Sequence, residues 1–156
     1  MATNVAVGDA APDFSLQDPS GQEVRLSQLL AERAVVLYFY PRDETSGCTR
    51  EACAFRDSYE AFQEAGAEVV GVSSDGVESH RSFADRHALP FRLLSDPGGR
   101  VRKRYGAVGL FGIVPGRVTY VIDRTGIVRH AFSSQLDASR HIREALHILQ
   151  TLEAAG

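Results

Sequence analysis

The sequence predicts an α/β fold: a central mixed β-sheet flanked by helices, with a β-hairpin extension at the N-terminus. Three observations lead there. Ala34 to Tyr40, AVVLYFY, is an unbroken β-branched and aromatic run that suits a strand buried on both faces. A helix-period segment and a second apolar run, Glu68 to Ser73, follow it, and strand, helix, strand favours parallel pairing. Farther along, Val118 to Ile122 and Ile127 to Phe132 flank the turn residues Asp123 to Gly126, which predicts an antiparallel hairpin.

The remaining elements follow in chain order. Pro12 to Leu16 and Glu23 to Leu26, separated by Asp18-Pro-Ser-Gly21, form the N-terminal hairpin. The first buried strand stops at Pro41, and a loop from Pro41 to Gly47 leads into a helix with Ala52, Phe55, Tyr59 and Phe62 on one face and Gly66 as its stop. Val77 to His87 is a second helix, broken before Pro90. Phe91 to Leu94 is a short strand and Val101 to Tyr105 a short helix ended by Gly106. Asp137 to Leu152 closes the chain as a helix whose stripe is Ile142, Leu146, Leu149 and Leu152. This order is that of a thioredoxin-like fold, and 156 residues predict one domain spanning 1–156.

Composition narrows the function. The 17 basic and 20 acidic residues are mixed along the chain, so neither a nucleic-acid face nor an acidic tail is announced. A small molecule or a protein is the expected partner. No apolar run approaches the roughly 18 to 20 residues that cross a bilayer, and Met1 to Asp9 lacks the pattern of a secretory signal. The expectation is a cytoplasmic protein off the membrane, or a plastid one whose transit peptide has been removed.

Two cysteines are too few for a secreted disulfide framework. They stand five apart in Cys48-Thr-Arg-Glu-Ala-Cys53, a spacing that matches neither zinc ribbons nor Cys-x-x-Cys reductases. Cys48 falls in the first turn of a helix, where unpaired N–H groups and the dipole favour an anion. A helix end supplies up to about 2 kcal/mol, and an ordinary thiol is only a few per cent ionised at neutral pH, so a further cation or donor is required. Thr45 lies within reach of the sulfur or of an attacking oxygen, or caps the helix; Pro41 stiffens the loop and limits solvent access. The bland alternative is that Cys48 is an inert core filler.

On an ideal helix, residues five apart have Cα atoms roughly 8 to 9 Å apart and point about 140° away from each other. A disulfide tolerates no more than about 7 Å, so Cys48 and Cys53 can join only if the first turns unwind. Cys48 shares the face of Ala52 and Phe55, and Cys53 points elsewhere.

The stretch YFYPRDETSGCTREACAFRD, Tyr38 to Asp57, resembles the active-site segment of peroxiredoxins of the Q type, also called bacterioferritin comigratory proteins. The resemblance runs from Gly8-Asp-x-Ala-Pro-Asp-Phe14 through Ser95-Asp96 and Tyr105-Gly106 to Arg117-Val-Thr-Tyr-Val-Ile-Asp123. It implies a Pro41-x-x-x-Thr45-x-x-Cys48 motif with Cys48 peroxidatic, Cys53 as the resolving cysteine, and Arg117 as the missing cation. Pro41, Thr45 and Arg117 would also bind the substrate. Many members have Pro after the motif threonine, where this chain has Ser46, one rigid residue fewer.

The implied activity is reduction of hydrogen peroxide and organic hydroperoxides through a Cys48 sulfenic acid and a Cys48–Cys53 disulfide, recycled by thioredoxin or a similar dithiol, in a monomer. A thioredoxin-like dithiol carrier without peroxidase activity is the alternative, and the spacing argues against it. No metal or organic cofactor is expected. His80 and His87, seven apart on one helix face, read as a solvated pair, and Leu110, Phe111, Ile113 and Val114 as either an apolar rim for substrate or partner or ordinary loop packing.

Overall fold

The computed structural model describes residues 5–107, 117–133 and 138–155. Its elements are β1 (Ser15–Gln17), β2 (Glu23–Arg25), α1 (Leu26–Leu30), β3 (Ala34–Phe39), α2 (Ser46–Asp57), α3 (Tyr59–Glu64), β4 (Ala67–Ser73), α4 (Val77–His87), β5 (Arg92–Ser95), α5 (Arg100–Tyr105), β6 (Val118–Ile122), β7 (Val128–Ser133) and α6 (Ala138–Ala155). The seven strands form one sheet in the order β2-β1-β5-β4-β3-β6-β7. The central pairs β3–β4 and β4–β5 are parallel, while β3–β6, β6–β7, β1–β2 and β1–β5 are antiparallel.

β3 is buried on both faces, as its composition predicts, and its alternate side chains feed two cores. Val35, Leu37 and Phe39 join Leu26, Tyr105 and Tyr120 on one face. Val36, Tyr38 and Tyr40 join Cys48, Phe55, Phe62, Phe83 and Leu149 on the other. The sulfur of Cys48 therefore belongs to the layer in which α2 packs on the sheet. Phe55 fastens this layer, its ring stacked on Tyr38 with centroids 4.4 Å apart.

The structure departs from the sequence reading in several places. The N-terminal hairpin starts at Ser15, and Leu26 begins α1, burying itself and Leu30. That hairpin is no detached extension, since Gln17 pairs with Ser95 of β5. The single helix expected after the loop is two, broken at Ser58, whose backbone (φ −104°, ψ 4°) leaves the helical well while its N–H still bonds Ala54 and Phe55 carbonyls. Apolar periodicity runs straight across the break because both pieces bury the same face, so the pattern does not reveal it. Leu110 to Val114 lie outside the described residues.

Candidate active site

β3 delivers the chain to Pro41, and the register of its antiparallel neighbour determines what meets the loop there. Phe39 pairs with Val118, so Arg117, one residue before β6, stands beside the point where the chain leaves β3. The loop then turns into α2, whose first residues carry Cys48. Two chain-distant pieces, the β3–α2 segment and the start of β6, thus converge for reasons of strand register, and the arginine reaches the sulfur from the residue just before β6.

Cys48 is buried at 1% exposure. Arg117 Nη2 lies 3.5 Å from its Sγ, and Arg117 Nη1 donates to Glu51 Oε1 at 2.8 Å. One guanidinium thus serves two acids one helical turn apart, in a fork that a lysine could not reproduce. Burial opposes Arg117's charge, but Glu51 and Cys48 beside it raise its pKa above the ordinary value. Gly47 permits the approach: a Cβ there would stand 3.0 Å from Arg117 Nη2. A second guanidinium, on Arg102, is also buried; it donates to the carbonyls of Ala107 and of Tyr40, just before the loop.

Glu51 is fully buried, and that burial pushes its carboxyl up to about 7 against the pull of Arg117. Its Oε2 accepts no hydrogen bond and faces His141 Nδ1 of α6 at 3.8 Å, while that nitrogen lies 2.7 Å from Thr119 Oγ1. The sequence reading missed Glu51, His141 and Arg102, because charged residues are ordinarily solvated. Helical spacing offered the one available signal, since Glu51 is three residues beyond Cys48 and next to the buried Ala52.

Thr45 takes the position before α2 with extended backbone (φ −78°, ψ 152°), but its hydroxyl makes no capping bond. It donates to the Arg42 carbonyl at 3.1 Å. Ser46 is the first residue of α2, the position where proline is well tolerated, so replacing it costs no helical hydrogen bond. Pro41 is half-buried at the loop's start. Cys53 is half-buried and Cys48 buried, both as free thiols within one continuous helix, as the expected reduced state requires.

The expectation of solvated histidines fails at His80. It is fully buried, with Nδ1 2.7 Å from Asp43 Oδ2 and Nε2 3.0 Å from the Leu94 carbonyl. Asp43 also accepts from Tyr40 Oη at 2.6 Å and Ser79 Oγ at 2.8 Å, and its own N–H donates to Asp75 at 2.7 Å. His87 is the more solvated of the two and bonds Glu44 of the loop at 3.3 Å. Three residues between Tyr40 and Glu44, namely Tyr40, Asp43 and Glu44, are consequently tied to α4 or to the segment just after β4, something that spacing along one helix could not show.

Comparison with known proteins identifies the family. The AhpC/TSA family matches residues 7–131. Peroxiredoxin Q, chloroplastic, of Oryza sativa subsp. japonica is 53% identical over 149 residues, covering 95% of this chain and 68% of the rice protein. The counterpart from Sedum lineare is 52% identical over 150 residues, covering 96% and 80%. Among solved structures, peroxidoxin BcpB of Mycobacterium tuberculosis superposes with a TM-score of 0.88 at 40% identity, covering 95% of this chain and 98% of that one. A bacterioferritin comigratory protein of Xanthomonas campestris, described for its alkyl peroxide reduction activity, gives 0.82 at 27% identity, covering 94% and 96%. The chain belongs to the AhpC/TSA family and, within it, to the peroxiredoxins of the Q type, which are thiol-dependent peroxidases.

Proposed function

We propose that this single domain reduces hydrogen peroxide and organic hydroperoxides at Cys48 and resolves the product with Cys53. One observation carries the reading: a buried sulfur in the first turn of α2, 3.5 Å from an arginine that a neighbouring strand holds in place. The peroxide enters beside Pro41, Thr45 and Arg117. The Cys48 thiolate attacks one oxygen, the O–O bond breaks, and Arg117 stabilises the charge growing on the leaving oxygen. For Thr45 to hold the peroxide, its hydroxyl exchanges the Arg42 carbonyl for a substrate oxygen, a change its exposed position allows.

Cys48 is then a sulfenic acid. The first turns of α2 unwind, Cys53 attacks the sulfur, and a disulfide forms with loss of water. A dithiol reductant, thioredoxin or similar, restores the pair, and the enzyme works as a monomer. Its compartment is a reducing one, the cytoplasm or, as in the plant relatives whose names carry the word chloroplastic, a plastid.

The decisive experiment follows thioredoxin-dependent peroxide consumption in wild type, Cys48→Ser and Cys53→Ser. Cys48→Ser is expected to be dead. Cys53→Ser is expected to react once and accumulate sulfenic acid. Retained turnover without Cys48 overturns the assignment, and rapid reduction of protein disulfides without peroxide consumption would favour a dithiol carrier.

A further inference from the structure

The first chemical step consumes a proton, and the site described above holds a carboxyl group that it has not yet used. The sulfur's electron pair forms the S–O bond as the O–O bond breaks, and the departing oxygen leaves as hydroxide or alkoxide. Thiolate, hydroperoxide and one proton go in; sulfenic acid and water or an alcohol come out. That proton must come from solvent or from the protein.

Arg117 is the cation placed between two acids, with Nη2 toward Cys48 and Nη1 toward Glu51. While Cys48 is a thiolate, an ionised Glu51 would put two negative charges on one guanidinium in a buried site, and one of them is better neutralised. Glu51 is the group whose surroundings favour neutralisation. Its Oε2 is sealed from water and receives no donor, so a proton on that oxygen removes an unsolvated charge. Once Cys48 becomes a neutral sulfenic acid, Arg117 has Glu51 alone to balance it, and the same proton is released.

Among the described residues, the titratable and charged groups around this carboxyl are Arg117 beside β6, which also reaches Cys48 on α2, His141 on α6, whose Nδ1 lies 2.7 Å from Thr119 Oγ1, and Tyr38 on β3. Burial and the negative charges of Glu51 and Cys48 hold the Tyr38 hydroxyl well above its ordinary range, so it keeps its own proton. The position of Glu51's titration, about 7, agrees with a proton held and given up near neutrality.

We propose that Glu51 stores the proton that peroxide reduction consumes, holding it while Cys48 is a thiolate and surrendering it as the sulfenic acid forms. The balanced step is thiolate, hydroperoxide and Glu51 carboxyl giving sulfenic acid, water or alcohol and Glu51 carboxylate. Glu51 does not touch the peroxide; its role is to close the proton balance inside the protein. The proposal rests on the peroxidase reading.

The test measures protons taken from a weakly buffered solution per thiolate lost, in one turnover with hydrogen peroxide near neutral pH. Cys53→Ser is the background, so the reaction stops at sulfenic acid. A pH indicator follows the protons, and ultraviolet absorption follows the thiolate. The expected uptake is well below one proton per thiolate. Adding Glu51→Gln, which keeps an oxygen for Arg117 but stores no proton, is expected to raise it to one. One proton per thiolate with Glu51 intact overturns the proposal and leaves the peroxidase reading standing. No thiolate loss on adding peroxide overturns both.

Discussion

The loop and the helix that meet at Thr45 are built in opposite ways. On the loop side, Tyr40, Asp43 and Glu44 are tied to α4, and Asp43 to Asp75 as well, through a cluster whose centre, Asp43 and His80, is fully buried. On the helix side, the first turns of α2 are held by backbone bonds, by the packing of Cys48 and Ala52, and by Glu51's grip on Arg117. The contrast suits a site in which one half has to move. Forming the disulfide requires α2 to unwind from its start, and the anchored loop keeps that unwinding from spreading backward into β3. Farther along, Phe55 against Tyr38 and the break at Ser58 bound the movement from the other end.

If this division is right, substitutions on the two sides separate stability from chemistry. His80→Leu is expected to have the largest effect on stability, because it strands Asp43 without its partner in the core. Leaving a buried polar group without one of its hydrogen-bond partners costs about 1–3 kcal/mol. Urea unfolding of the reduced protein measures it, and a cost below about 1 kcal/mol would mean that the cluster anchors nothing. Arg117→Ala is expected to lower the second-order rate with peroxide by about 10²- to 10³-fold, the scale for removing one donor to a developing oxyanion. The variant should still fold, and an unchanged rate in stopped-flow kinetics would remove the residue from the site.

Glu51 joins the two quantities through pH. Its carboxyl titrates at about 7 in the fold against an ordinary value of 4.5, so between these values the folded chain binds the proton more tightly than the unfolded one. The sign follows: this stabilisation is complete below 4.5 and is lost as pH rises through about 7. Its size is on the order of 3 kcal/mol at most. Glu51→Gln should remove the decline, so its stability relative to wild type rises between pH 5 and pH 8. Parallel curves for the two proteins would show that Glu51 is ionised throughout.

The sequence makes the short motif around the two cysteines legible and leaves its buried polar partners hidden. Pro41, Thr45, Cys48 and Cys53 are close in sequence, and helix geometry alone separates the two sulfurs. Arg117 is visible only by resemblance, because its position depends on the register of β3 with β6, a long-range pairing that local pattern does not encode. Glu51, His80 and His141 are fully buried polar residues, and a reading that sends charge to the surface necessarily misplaces them. The strands are recovered because burial on both faces leaves a continuous apolar run. α1 is lost because five residues give too little period to detect.

The smallest expected effect sharpens the comparison most narrowly. Glu44 carries a positive φ of 65°, a conformation that costs a non-glycine residue about 1–2 kcal/mol, and its carboxylate meets Arg86 at 2.9 Å and His87 at 3.3 Å. Arg86 is exposed and His87 half-buried, and an exposed ion pair such as Glu44–Arg86 contributes about 0.2–1 kcal/mol. These contacts are too weak to hold the backbone in that conformation by themselves, so the buried bonds of the adjacent Asp43 must do most of it. Arg86→Ala should therefore cost less than about 1 kcal/mol, shrink further in high salt and leave the peroxide rate unchanged. A loss above about 2 kcal/mol would reverse the assignment, making the surface pair the anchor of the loop and the buried cluster its accessory.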